Sequence, residues 1–590
     1  MRERESHHHT RVGVLAISFT VLILRQLATL QTQIVPASFA ISHVTVINTE
    51  NGSSNDDMTV IVTGDRIADV GKSNAVNVPA VASVLDARGK FLLPGLWDMH
   101  VHVFNNDTLN GTNSSEYFFP LFVANGVLGV RDMSTDADDI VEANRWNQDI
   151  AAGRLVGPRV LLSSQIVDGD LPVRVGPPTV SNALVVRTPE EGRAAVRSLK
   201  ASGAKLIKVY WNLSRDVYFA IAVEAKREGI PFGGHVPRVV DPGEAADAGQ
   251  RSIEHMDGIY AACSQRNAGS LTANEQAALT GVFDRSRCEA LADRLQQNGT
   301  WLVPTSINFW DPVDVDLRRR QQYGPPLAGT PFRRASPPPL VVNVHQSMHR
   351  VESFLTGTDI SIRRAEIVPG VSLHEELALF VEMGFTPAEA LKAATVNPAK
   401  YAGMLDEFGT IAKNKRADLV LVDANPLADV RNASRISAVV LNGRVFDRTE
   451  LDRLLARSES AARNIRPTPF LSIRIFDANA SSRFAGTWNA DYPVPQPIMI
   501  DVTLAGTSLN GTIQAGGQRV PVAGMTNGDE ISFTFTSPDN DRTIMINGRL
   551  SGDELAFTRS VEVRPGGRPG GAGFFGSGGQ NVTFVARRAP

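Results

Sequence analysis

Four of the eleven histidines stand where imidazoles could share a metal ion. His100 and His102 close the run Trp97-Asp98-Met99-His100-Val101-His102, and the period of two along an extended strand turns both rings to one face. His235 follows two glycines in Gly233-Gly234-His235-Val236, and His255 ends Ser252-Ile253-Glu254-His255. Asp359 closes Thr356-Gly357-Thr358-Asp359, and Lys208 lies inside Ile207-Lys208-Val209-Tyr210. Each is ordinary alone: a strand-end His usually serves packing, a strand Lys reaches for solvent, and an Asp after Thr-Gly-Thr forms a turn or caps a helix. Their common phase is the signal, because these His and the Asp all fall at the ends of apolar, β-branched runs. With only two cysteines, Cys263 and Cys288, a four-thiolate zinc site is excluded, and any metal must be held by His and carboxylates.

The elements that must position these residues are eight apolar runs, near residues 95–102, 126–131, 159–163, 206–210, 231–236, 252–255, 301–304 and 354–359. They alternate with helical segments in the rhythm of a parallel sheet buried on both faces. Thr188-Pro189-Glu190-Glu191, Asp241-Pro242-Gly243-Glu244 and Thr386-Pro387-Ala388-Glu389 are capping boxes with proline at the first helical position. Eight βα units over about 300 residues match a (β/α)8 TIM barrel, whose chemistry sits at the C-terminal ends of its strands. The barrel is assigned to residues 95–404. β-rich runs at 43–48, 59–62, 66–70 and 82–86 recur at 417–422 and 436–441, so 41–94 and 405–450 are expected to share a small composite β-sandwich. Residues 451–466 read as a helical linker. From 467 to 590 a separate all-β domain is expected, an up-and-down barrel or sandwich. Its seven strands would lie near 498–504, 507–514, 518–522, 530–535, 543–550, 554–559 and 581–587. The Gly-rich stretch 566–579 lacks the strand-loop-helix context of a phosphate cradle.

At 590 residues, 43% hydrophobic and 21% charged, the α/β chain can bury more than one core. A formal charge of -3 leaves no field to hold a polyanion, so nucleic acid is excluded as a partner. Arg2, Arg4 and Arg11 precede the apolar run 12–24, and Ala37-Ser38-Phe39-Ala40 follows. Residues 1–40 therefore read as a signal peptide or an N-terminal anchor. The expected location is exported, periplasmic or extracellular, with membrane contact only through such an anchor. There Cys263 and Cys288 either pair or remain buried thiols.

These residues resemble the metal-dependent amidohydrolase superfamily, in its imidazolonepropionase-like and prolidase-like branch. The likeness spans about residues 41 to 450. It includes Leu93-Pro94-Gly95-Leu96 running into the His100 motif, Gly234-His235-Val236 and Ile253-Glu254-His255. Downstream it includes Ser372-Leu373-His374-Glu375-Glu376-Leu377, Asn397-Pro398-Ala399 and Ala417-Asp418-Leu419-Val420. The resemblance implies two divalent metal ions, zinc by preference, with His100, His102 and Asp359 on one and His235 and His255 on the other. Lys208 would bridge them as a carbamate formed with carbon dioxide. An ammonium beside two dications is repelled, and lysine deprotonates readily where its surroundings disfavour charge.

The activity implied is hydrolysis of a C–N bond in a small amide, cyclic amide or acyl or prolyl dipeptide. A metal-bridging hydroxide would attack, with Asp359 and Lys208 as catalytic residues and Asp359 carrying the proton to the leaving nitrogen. Two rivals stay open: a one-metal deaminase, against which Lys208 speaks, and an esterase or lactonase using the same centre. A binding protein with a dead barrel would lack ligands, and none of the six is missing. Tyr210 is a candidate donor to an oxyanion or substrate carboxylate, and His374 a candidate substrate contact; packing roles are open for both. Arg131 and Asp132 are expected to pair internally, and His345 and His349 to lie at the surface. Residues 311–350 read as a loop that covers the site. The expected partner is a small-molecule substrate, and a homo-oligomer is open. The last domain resembles small lipocalin-type β domains appended to exported bacterial enzymes.

Overall fold

The computed structural model describes residues 38–104, 114–169, 183–264, 283–308, 337–349, 352–361, 367–464, 471–477, 482–490, 498–515, 518–536, 542–563 and 582–588. Residues 1–37 of the expected signal or anchor segment, the Gly-rich stretch and all of the loop expected over 311–350 except 337–349 lie outside the described residues; within that part, Pro339–Met348 is a helix rather than loop. Among the described residues, no helix is long and apolar enough to cross a membrane.

Both flanks of the central strands share one eight-stranded sheet. Ser38–Asn48, Ser53–Thr63 and Arg66–Lys72 form one side, and Leu419–Val422, Ile436–Leu441 and Arg444–Asp447 the other. Phe91–Pro94 joins them, parallel to the first strand through Thr45 and Phe91 and antiparallel to the later one through Leu92 and Leu421. Alternate residues Ile41, Val60, Val62, Leu419, Leu421 and Val440 pack into one core, as period-two burial requires. Ser38, Phe39 and Ala40 are already paired with Thr63, Val62 and Ile61. The sheet thus takes in residues 38–40, the last three of the segment expected over 1–40.

The central strands are parallel. Leu96–His102, Val127–Asp132 and Arg159–Leu162 belong to a four-stranded sheet with Ile360–Ser361. Ile166–Asp168, Ile207–Val209, Phe232–Gly234, Ser252–Glu254 and Trp301–Val303 belong to a six-stranded one. Two features connect the sheets. The third run is split at Ser164, whose N–H donates to Leu206 O at 2.7 Å, so its first half pairs backward and its second half forward. Leu302 bridges Phe354, which leads to Ile360. The strands ending at Gly234 and Glu254 stop one residue before His235 and His255, a shift from the expected ends. Asp241 and Thr386 form reciprocal capping boxes, and the Thr188 side chain caps Glu191 N.

The expected linker is part of the body. Helix Arg448–Asn464 buries Leu451, Leu454 and Ser458, an i, i+3, i+7 stripe, and Ser458 Oγ donates to Tyr117 O at 2.6 Å on helix Ser114–Ala124. The last domain is a closed barrel of nine strands rather than seven. The two additional strands are Leu471–Asp477 and Gly486–Ala490. The first runs parallel to Ile498–Ala505 and closes the ring. Its alternation of Leu471, Ile473 and Ile475 with Ser472 and Arg474 was a legible strand signal. Trp488, Phe533 and Phe557 fill the interior.

Candidate metal centre

The sequence-predicted ligands meet at the C-terminal ends of the parallel strands. His102 Nε2 lies 3.0 Å and His100 Nε2 3.4 Å from Asp359 Oδ1, and one ligand atom from each of the three fits within 4.8 Å of the others. Ring centroids of His100 and His255 are 4.7 Å apart, as are those of His255 and His235. Lys208 is buried beside them. Its neighbour Gly234 has φ +129°, and a Cβ there would stand 2.4 Å from Val209 O and 2.9 Å from Lys208 Cδ. Only glycine lets the strand that leads to His235 pass this close to Lys208.

Ring orientation is set by groups the sequence did not reveal. Glu254 Oε2 lies 2.8 Å from His100 Nδ1, and Asp257 Oδ2 lies 2.6 Å from His235 Nδ1. A carboxylate acceptor places the proton on Nδ1 and leaves the Nε2 lone pair for a ligand. Thr305 Oγ1 stands 2.7 Å from His255 Nδ1. Arg131 donates to both oxygens of Glu254 at 2.9 and 2.8 Å, and to Tyr401 OH at 2.8 Å. Asp132 accepts Val103 N, Ser134 N and Thr135 Oγ1. Both residues thus pair internally. Asp98 accepts Thr358 N at 3.0 Å and Thr358 Oγ1 at 2.6 Å, pinning the first strand to the residue before Asp359; burial pushes its carboxyl up to about 7.

Backbone strain collects at the same ends. His255, Thr305 and Asp359 hold φ of 60°, 48° and 54°, in a region that costs a non-glycine residue about 1 kcal/mol or more. Main-chain bonds retain them, from His255 N to Val303 O at 2.8 Å and from Asp359 N to His100 O at 2.7 Å.

The donor set suits divalent cations. Burial, reinforced by the Lys208 charge, holds the His100 and His235 imidazoles well below their ordinary value; burial and then His235 do so for His255. Burial pushes Lys208 down to about 8, against the pull of Glu254 and Asp359. Neutral imidazoles and a deprotonable amine are the forms a metal requires. Among the described residues, His100 Nε2, His102 Nδ1 and Lys208 Nζ are buried without a hydrogen-bond partner, a costly state for polar atoms that ligation would relieve.

Tyr210 packs edge-on against His235, with centroids 4.4 Å apart. Trp211, missed in the sequence, lies 4.2 Å from the same ring. Asn308, also missed, donates to Asp359 Oδ2 at 3.3 Å. Asp257 had a signal, an acid two residues past His255; Trp211, Thr305 and Asn308 are identified only by the fold. His374 Nε2 is 2.9 Å from Asn125 O, which ties it to the end of helix Ser114–Ala124. The surface expectation for His345 is corrected: it is fully buried on helix Pro339–Met348, with Nδ1 2.9 Å from Val341 O. A polar-looking stretch hid an apolar face of Leu340, Val341, Val344 and Met348. His349 lies 3.0 Å from Glu389. Cys263 and Cys288 form a disulfide.

The sequence profile of the amidohydrolase family matches residues 91–446. The chain is 25% identical over 418 residues to an imidazolonepropionase of Sphingopyxis alaskensis, covering 66% of this chain and 92% of that protein. It is 26% identical over 396 residues to an ochratoxinase of Aspergillus niger, covering 58% and 72%. A solved molinate hydrolase matches with a TM-score of 0.53 at 21% identity, over 70% of this chain and 95% of that one.

Proposed function

Because the chain belongs to the amidohydrolase family and is a metal-dependent hydrolase of C–N bonds, we propose that it cleaves a small amide, cyclic amide or acyl or prolyl dipeptide at the His100–Asp359 cluster. The observation that carries this reading is the meeting of buried His100 and half-buried His102 on Asp359 Oδ1, with the far nitrogen of His100 already committed to Glu254. In this reading the two parallel sheets are one (β/α)8 barrel, and the flanking sheet is the composite β-sandwich.

His100, His102 and Asp359 would hold one divalent ion and His235 and His255 a second, zinc by preference, with Lys208 between them as a carbamate. When bound, such a pair supplies a Lewis acid for the scissile carbonyl and acidifies water toward neutral pH. Asp359 does the proton work. Asn308 engages its Oδ2, which leaves Oδ1, beside His100 and His102, to take the proton from attacking water and return it to the leaving nitrogen. Tyr210, packed on His235, is the proposed donor to the developing oxyanion. The Cys263–Cys288 disulfide supports the reading that the protein works in an oxidising compartment after export.

The test is a hydrolysis screen of N-acyl amino acids, Xaa-Pro dipeptides, hydantoins and lactones with zinc-loaded protein, beside His235→Ala and Asp359→Asn. Turnover of a C–N substrate is expected, reduced about 10²–10⁴-fold by Asp359→Asn. Activity that survives His235→Ala removes the second ion from the reaction, and turnover of lactones alone overturns the C–N assignment.

A further inference from the structure

We propose that Glu376 is a positioning residue for the reaction, fixing the turn that sets Asn308 against Asp359 and Thr305 against His255. This rests on the reading of Asp359 as the proton carrier.

Glu376 lies on helix Val371–Glu382 and is fully buried. A carboxylate there is expensive unless its oxygens are satisfied. They are satisfied by main chain: Oε1 accepts Ser306 N at 2.9 Å and Oε2 accepts Ile307 N at 2.8 Å. These two amides open the short 3-10 turn Ser306–Asn308, shortly after the strand Trp301–Val303. The first N–H groups of any helical turn have no partner within the turn. Here a side chain from a distant helix supplies both acceptors and so determines where the turn points.

The turn carries two side chains toward the cluster. Thr305, immediately before it and strained at φ 48°, reaches His255 Nδ1 at 2.7 Å. Asn308, its last residue, donates to Asp359 Oδ2 at 3.3 Å. Glu376 is fully buried and bonds the turn itself, and its two hydrogen bonds orient a partner of His255 and a partner of Asp359 together. The helix that bears it is anchored elsewhere by His374 on Asn125 O, so the Ser372-Leu373-His374-Glu375-Glu376 motif acts as a strut.

Glu376→Gln, which keeps the shape but only one acceptor oxygen, is to be compared with Asn308→Ala and with the double variant. The full zinc-loaded chain is assayed on the panel member it hydrolyses fastest, and amide hydrogen exchange is followed over residues 305–308. Glu376→Gln is expected to lower kcat about 10–100-fold, with KM nearly unchanged, and to accelerate exchange at Ser306 and Ile307. The double variant should lose less than the product of the single losses, because both changes act on one contact. Unchanged kcat with unchanged exchange, or losses that multiply fully, overturns the proposal. If Glu376→Gln does not fold, Glu376→Asp takes its place; a smaller kcat loss with faster exchange supports the proposal, and a loss confined to KM overturns it. Asp359→Asn run in parallel separates the two readings. An active Asp359→Asn sinks the proton-carrier assignment, whereas a dead Asp359→Asn beside an unaffected Glu376→Gln sinks only the role of Glu376.

Discussion

Asp257 grips His235 by one ring nitrogen: Oδ2 stands 2.6 Å from His235 Nδ1 and also accepts the indole N–H of Trp211 at 2.9 Å. The same indole packs 4.2 Å from the imidazole it helps to orient. Groups of this kind typically contribute 10–100-fold to metal affinity. Asp257→Ala should therefore weaken zinc binding by about that factor in equilibrium dialysis, and Trp211→Phe, which keeps the ring contact and loses one donor, by less. Unaltered zinc affinity in Asp257→Ala would show that the ring needs no such support.

Gly234→Ala tests the close passage beside Lys208. With φ +129° and a Cβ 2.4 Å from Val209 O, the substitution is expected to cost about 1–3 kcal/mol in urea unfolding and to lower divalent-metal content. A variant as stable as the parent would show that the strand pair can part without harm.

Acid should destabilise the fold through His345. Burial lowers its imidazole from 6.5 to about 4, so between those values the unfolded chain binds a proton that the folded chain refuses. Stability is then full above about pH 6.5 and falls as pH drops toward 4, by up to about 3 kcal/mol. Urea midpoints of metal-free protein at pH 7 and pH 5 should differ less in His345→Leu than in the parent. Equal differences would place the acid sensitivity elsewhere.

The disulfide closes the segment between helix Ile259–Ala262, which follows His255, and helix Arg285–Asn298. For a sequence separation of 25, constraint of the unfolded chain is worth about 3 kcal/mol. Cys263→Ala with Cys288→Ala should lose roughly that in denaturant unfolding while keeping its divalent-metal content. Loss of metal would instead mean that the bond holds the His255–Asp257 segment in place.

The amino-acid sequence by itself determined that His100, His102, His235, His255 and Asp359 lie at or next to the ends of parallel strands, since period-two spacing, glycine placement and helix caps are local properties with local causes. It also announced the shared flanking sheet and the separate last domain through alternating runs and turn residues. What only the tertiary structure decided was which distant groups meet. Glu254 on His100, Asp257 with Trp211 on His235, Thr305 on His255 and Asn308 on Asp359 come from different strands and turns. His345 and the Leu451, Leu454 and Ser458 stripe of helix Arg448–Asn464 went inside because a neighbouring face was there to receive them. Pattern along a chain encodes which side a residue faces. The partner on that side is fixed by how strands close upon one another and by strained turns at His255, Thr305 and Asp359, which packing enforces against local preference.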